Sequence, residues 1–98
     1  MELLEEYKNI LEKIKEYLIS EFKKRYDDIE VDDDMGFLLR FTIKGRYRFE
    51  LDLESRYFHI SCDTELGMLG RYVETFKELF EFINEIIKEE AEYEMRSL

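Results

Sequence analysis

The chain has 98 residues, 45% of them apolar and 41% charged, with a formal net charge of −10 and an isoelectric point near 4.6. That length accommodates one domain, residues 1–98, and its apolar content supplies a core and argues against disorder. Such an excess of acid repels phosphate, which disfavours direct contact with nucleic acid or anionic membranes and makes basic protein surfaces the natural partners.

The first segment, "ELLEEYKNILEKIKEYLISEFKKRY", predicts one amphipathic helix. Leu4, Tyr7, Leu11, Ile14, Leu18 and Phe22 recur at steps of three and four residues and form one apolar stripe. Glu2, Glu5 and Glu6 at its start and Lys23, Lys24 and Arg25 at its end oppose the helix macrodipole, which firms both termini.

The period then changes to two. Ile29 and Val31 mark a short first strand. Phe37, Leu39, Phe41 and Ile43 alternate with Leu38, Arg40, Thr42 and Lys44. Tyr47, Phe49, Leu51 and Leu53 alternate with Arg48, Glu50, Asp52 and Glu54, and Phe58, Ile60 and Cys62 alternate with Tyr57, His59, Ser61 and Asp63. Four strands with one apolar and one polar face describe an antiparallel meander. Opposed residues must share a face, and this fixes the register. A turn at Ser55-Arg56 sets Asp52 opposite His59 and Leu53 opposite Phe58. A loop of Lys44-Gly45-Arg46 sets Ile43 opposite Tyr47, Phe41 opposite Phe49 and Arg40 opposite Glu50, although Gly more often stands last in such loops.

"DTELGMLGRYVETFKELFEFINEIIKEEAEYEM" predicts the second helix, capped by Asp63 or Thr64, with Gly67 and Gly70 leaving its first turn uncertain. Leu69, Val73, Phe76, Phe80, Ile83 and Ile87 form its main stripe. Leu79, Phe82 and Ile86 widen that stripe. The expected fold is α+β: a helix, a four-stranded antiparallel meander with a short first strand, and a helix, with both helices packed on one face of the sheet. The apolar surplus of Leu79, Phe82, Ile86 and Tyr93 either wraps the first helix or forms a homodimer face, and the homodimer is the reading adopted.

Two segments account for the whole charge excess. Residues 27–36 carry six acids and no base, and residues 63–98 carry ten acids against four bases. A second helix climbing from the bottom of a four-stranded meander brings Glu85, Glu89, Glu90, Glu92 and Glu94 to the pole occupied by Asp28, Glu30, Asp32, Asp33 and Asp34. The expectation is an acidic crown and a basic foot, with those ten residues as the partner-binding surface. Acids at the C-terminal end of the second helix oppose its own dipole, and a surface that costs stability is a candidate for function.

No catalytic, cofactor or metal signature emerges, and the chain does not read as an enzyme. With Gly36 as the sixth position of a calcium loop, the first would be Val31 and the twelfth Thr42, so the pattern fails. His59 faces Asp52 on an open polar face, where a surface pair is the simpler account. Cys62 is the sole cysteine and faces the core, consistent with packing and with a reducing compartment. With no signal-peptide pattern and no membrane-length apolar run, the expected location is the cytoplasm, that of a host if the chain is viral. Pro, Trp and Gln are absent and Asn occurs twice, a composition similar to that of hyperthermophile proteins and one that low-GC coding also produces.

On this reading the chain is an acidic inhibitor, a nucleic-acid mimic that occupies a basic groove of a partner. The alternative is an acidic dimeric adaptor or chaperone-like protein whose charge serves solubility. "DDIEVDDDMG" and "EIIKEEAEYEM", with the meander between them, give a small, very acidic helix–meander–helix chain. In architecture and charge it resembles the anti-CRISPR proteins of archaeal rod-shaped viruses. That resemblance implies a dimer that binds the large subunit of a type I-D CRISPR interference complex; no motif residue is carried over from the family.

Overall fold

A computed structural model describes residues 3–54, 57–64 and 67–97. Helix α1 spans Leu3–Arg25 and buries Leu11, Lys15, Leu18 and Phe22 along one stripe. Of the expected apolar positions, Leu4 and Tyr7 remain exposed. The cause is length. A 23-residue helix extends about 34 Å, while a seven-residue strand covers about 23 Å. The N-terminal turns of α1 therefore project past the sheet, and the molecule measures 58 × 24 × 22 Å.

Five strands follow: β1 (Ile29–Met35), β2 (Leu38–Ile43), β3 (Tyr47–Asp52), β4 (Phe58–Thr64) and β5 (Gly67–Val73). They form one antiparallel sheet in the order β1-β2-β3-β4-β5. The expected pairs Ile43–Tyr47, Phe41–Phe49, Arg40–Glu50 and Asp52–His59 are all present. In the β2–β3 turn, Lys44 and Gly45 both have positive φ, and Arg46 N–H donates to the Ile43 carbonyl at 3.2 Å. Those φ signs belong to a type I′ turn, so Gly45 stands at its second central position and Arg46 is the extra residue before β3. Ser55 and Arg56, the expected β3–β4 turn, lie outside the described residues, as do Met1, Glu2, Glu65, Leu66 and Leu98.

The expected four-stranded sheet is corrected by β5. "GMLGRYV", read from sequence as the start of the second helix, is instead an extended strand paired with β4 along its whole length, from Phe58–Val73 to Thr64–Gly67. Two glycines in four residues weaken a helix and tolerate a strand beside a turn, and Gly67 takes φ +115° there. Helix α2 begins only at Phe76 and runs to Ser97. Its cap is Thr75 rather than Asp63 or Thr64. The Thr75 hydroxyl accepts from Glu78 N–H at 3.1 Å, and the Glu78 carboxylate accepts from Glu74 N–H at 3.4 Å. "TFKE" thus carries out the two-way exchange of a capping box, displaced by one residue on the return bond.

The core lies between one sheet face and the two helices. Leu39, Phe41, Ile43, Tyr47, Phe49, Leu51, Ile60, Cys62 and Val73 are buried against Leu18, Phe22, Leu79, Phe80, Ile83 and Ile86. Phe22 stacks on Phe41 at 4.4 Å and meets the edge of Phe80 at 5.8 Å, which ties both helices to the sheet. Each such side chain contributes about 1.5–3 kcal/mol through removal from water.

Helix direction follows from three contacts. Tyr17 lies 5.1 Å from Phe76, Phe22 meets Phe80, and the Tyr26 hydroxyl donates to Asn84 Oδ1 at 2.9 Å. Later residues of α1 meet later residues of α2, so the helices run parallel.

Candidate functional site

Gly36, in the β1–β2 turn, marks one pole of the molecule and Gly45, in the β2–β3 turn, the other. In a meander each added strand reverses the chain, so α2 leaves β5 at the Gly36 pole and descends toward the Gly45 pole. This corrects the expected acidic crown. Glu90 and Glu94 line a polar cleft of about 400 Å³ with Gly45, Arg46, Arg48 and Asp63, and Glu94 forms an ion pair with Arg46. Glu85 pairs with Arg71 of β5 at 3.7 Å. Glu89 and Glu92 lie on the same descending half of α2 and are exposed. The ten acids expected to form one surface therefore form two groups, and the α2 group is interleaved with arginines.

Asp27 and Asp28, in the bend before β1, and Glu30, Asp32, Asp33 and Asp34, along the β1 edge of the sheet, remain together and are all exposed. Among the described residues none of these six carboxylates makes an ion pair. Arg40 sits opposite Asp32 in register, yet its guanidinium pairs with Glu50 at 3.2 Å. The Asp32 carboxylate accepts from Asp34 N–H at 3.0 Å, which folds the tip back on itself.

A bulge shapes this edge. Between the pairs Asp32–Arg40 and Met35–Leu38 the register shifts, so Asp33 and Asp34 stand against Leu39 alone. The carbonyl of Asp33 accepts a bond from Lys15 Nζ at 3.2 Å, and Lys15 is itself only 9% exposed. A buried ammonium on α1 thus holds the backbone of the acidic tip without contacting its carboxylates. The arrangement can attract and order cationic groups along a line. Asp27 and Asp28 stand in the bend before β1, and Glu30 to Asp34 covers about 13 Å of strand, so its four acids fall at about one per 4 Å along it. One strand of B-DNA presents a charge every 3.4 Å or so along its axis.

Other sequence-singled residues have structural partners. His59 faces Asp52 in register but packs against Tyr72, with ring centroids 4.7 Å apart, while the Asp52 carboxylate accepts from Glu54 N–H at 2.9 Å. Cys62 is buried, and burial, with Glu90 and Asp63 nearby, pushes its thiol up to about 11. Burial likewise raises the Tyr26 hydroxyl to about 12, and the Arg25 charge offsets part of that shift. Arg48 and Asp63 line the same cleft. Leu79, Phe82 and Ile86, expected at a dimer face, are buried within this chain; Tyr93 is the exposed member of that set. The surplus is consumed by the fifth strand and by α1, which together widen what α2 must cover.

Comparison with protein families, with curated proteins and with solved structures finds no match for this chain. No helix among the described residues is long and apolar enough to cross a membrane.

Proposed function

We propose that this chain is a small acidic inhibitor that lays its β1 edge into a basic, nucleic-acid-binding groove of a partner complex. The observation that supports the reading is the run of six exposed carboxylates in the bend before β1 and along β1, none of them in an ion pair among the described residues, with the four in the strand spaced much like phosphates along one strand. Lys and Arg of such a groove would meet carboxylates in place of phosphates. Long-range attraction would speed encounter, and salt would weaken it. The resemblance to viral anti-CRISPR proteins makes the large subunit of a type I-D interference complex the first partner to test, with the inhibitor acting as a homodimer. The α2 acids serve a different end in this proposal, since Arg46 and Arg71 already engage Glu94 and Glu85.

The experiment is a binding titration against that subunit, with target DNA as competitor, at low and high salt. Competition with DNA and an affinity that falls at least about tenfold between 50 and 200 mM salt are expected. The charge reversal Asp32→Lys, Asp33→Lys, Asp34→Lys is expected to abolish binding while the fold persists. A salt-independent affinity, or full binding by the reversed variant, sinks the proposal.

One observation favours the second reading, an acidic adaptor or chaperone-like protein. The projecting start of α1 exposes Leu3, Leu4, Tyr7 and Ile10 on neighbouring turns, an apolar surface a client could cover. Loss of client protection on substituting Ile10 and Tyr7 by Ser, with the β1 acids intact, would establish it over the inhibitor.

A further inference from the structure

The two edges of the sheet are built on opposite rules. An exposed edge strand offers unpaired N–H and C=O groups to another chain, and proteins blunt such edges with charge, bulges, proline or a covering element. The β1 edge has both charge and a bulge. The β5 edge has neither: "GMLGRYV" contains one charge, Arg71, pairs regularly throughout with β4, and is exposed at every residue except Val73. Met68 and Tyr72 are 72% and 64% exposed.

Which backbone groups point outward can be derived. Opposed residues in an antiparallel ladder alternate between hydrogen-bonded and non-hydrogen-bonded pairs. If Thr64–Gly67 were a non-hydrogen-bonded pair, residues 65 and 66 would have to bond each other across one peptide link, which is impossible. That pair is therefore hydrogen-bonded, and so are Cys62–Leu69, Ile60–Arg71 and Phe58–Val73. Met68, Gly70 and Tyr72 lie in the alternate pairs with Asp63, Ser61 and His59, so their N–H and C=O groups face away from β4.

We propose that a second copy of this chain pairs with β5 through its own β5, antiparallel about a two-fold axis at Gly70. In that register Gly70 opposes Gly70 of the second copy, Met68 opposes Tyr72, and Leu69 opposes Arg71. Each outward N–H meets an outward C=O, giving about six inter-chain hydrogen bonds. On the open face the Met68 thioether lands on the Tyr72 ring, a favourable sulfur–aromatic contact repeated by symmetry. Glycine at the centre lets the two backbones approach, and the His59 ring already fills the space above it, 3.0 Å from where a Cβ would stand. Two five-stranded sheets become one continuous sheet of twice the width, with all helices on one side.

The β1 acids do not oppose this contact. The sheet order puts β1 four strand spacings away, about 19 Å, beyond the ~8 Å Debye length at physiological salt. In the dimer the two acidic β1 edges become the outermost strands, facing opposite directions. The proposal specifies the contact of the homodimer named above and is independent of what the acidic edge binds.

The test is sedimentation of the full chain with a cross-linking arm. Tyr72→Pro deletes an outward N–H that β4 does not use and the ring that Met68 meets, twice per dimer, and is expected to weaken dimerisation by at least about 30-fold with helix and sheet signals retained. Met68→Lys/Tyr72→Lys places like charges opposite one another and is expected to give monomer. Oxidising an equal mixture of Leu69→Cys and Arg71→Cys chains, both carrying Cys62→Ala because Cys62 stands opposite residue 69, is expected to yield the mixed disulfide dimer, since the proposed register sets these positions in a close, non-hydrogen-bonded pair. A wild-type chain that stays monomeric at high micromolar concentration overturns the dimer itself. A dimer that survives Met68→Lys/Tyr72→Lys and gives no mixed disulfide overturns the β5 contact alone.

Discussion

The β1 and β5 edges belong to one sheet and have the same strand length, yet they treat their free backbone groups in opposite ways. Along β1, four carboxylates and the Asp33–Asp34 bulge make strand addition unfavourable, because an incoming strand would meet broken register and like charge. Along β5 the ladder is regular and Arg71 is the one charged side chain. The difference shows that the two edges of one sheet carry unlike charge. One edge repels strands and attracts cations. The other is left open to backbone pairing.

The contrast can be broken from either side. The largest effect on stability is expected at the β1 side from Lys15→Ala, which removes the buried ammonium that holds the Asp33 carbonyl. Bonds from charged donors to such groups are worth about 1.5–3 kcal/mol, so urea unfolding should show a loss of about 2 kcal/mol. Hydrogen exchange should quicken at the acidic tip and remain unchanged along β5. A uniform change across the sheet would mean that Lys15 supports the core in general and has no special part in shaping the edge.

Alkaline pH sharpens the comparison next, because each edge has one group with a raised pKa nearby. Tyr26 precedes β1, and Cys62 pairs with Leu69 of β5. Cys62 ionises near 9.0 when unfolded and near 11 when folded, and Tyr26 near 10.0 and near 12. In each case the unfolded chain releases its proton first, so both contributions are complete below about pH 9 and disappear as pH rises through 11 and 12. Denaturation midpoints should fall across that window. Cys62→Ala should remove the earlier part of the fall and Tyr26→Phe the later part; identical pH profiles in wild type and both variants would assign the loss to other groups.

The smallest effect is expected at Gly70. A Cβ there meets His59 Nε2 at 3.0 Å, and a side-chain tip can move aside, so Gly70→Ala should cost less than about 1 kcal/mol. In a double-mutant cycle with His59→Ala, most of that cost should vanish. A cost independent of residue 59 would place the strain in the backbone instead.

Much of the sheet was legible because its signals are local. The alternation from Phe37 to Cys62 fixed which face each residue would take, and parity alone set Phe41 opposite Phe49 and Asp52 opposite His59, as found. The β1 acids were recognisable as one exposed group for the same reason. "GMLGRYV" was misread because Leu69 and Val73 also fit a helical spacing. Two available signals pointed the other way: the glycines at 67 and 70, and the capping box "TFKE", which begins a helix at Phe76.

By itself the sequence determined the faces, the first helix, the meander and the location of charge along the chain, since each depends on the 3.6- or two-residue period of neighbouring side chains. Only the tertiary structure decided which charges share a pole. That property depends on strand number: one more strand reverses α2, sends Glu90 and Glu94 to the arginines beside Gly45, and leaves the aspartates of β1 at their own edge. Direction in a meander is a parity, accumulated over the whole chain, and no local pattern encodes it.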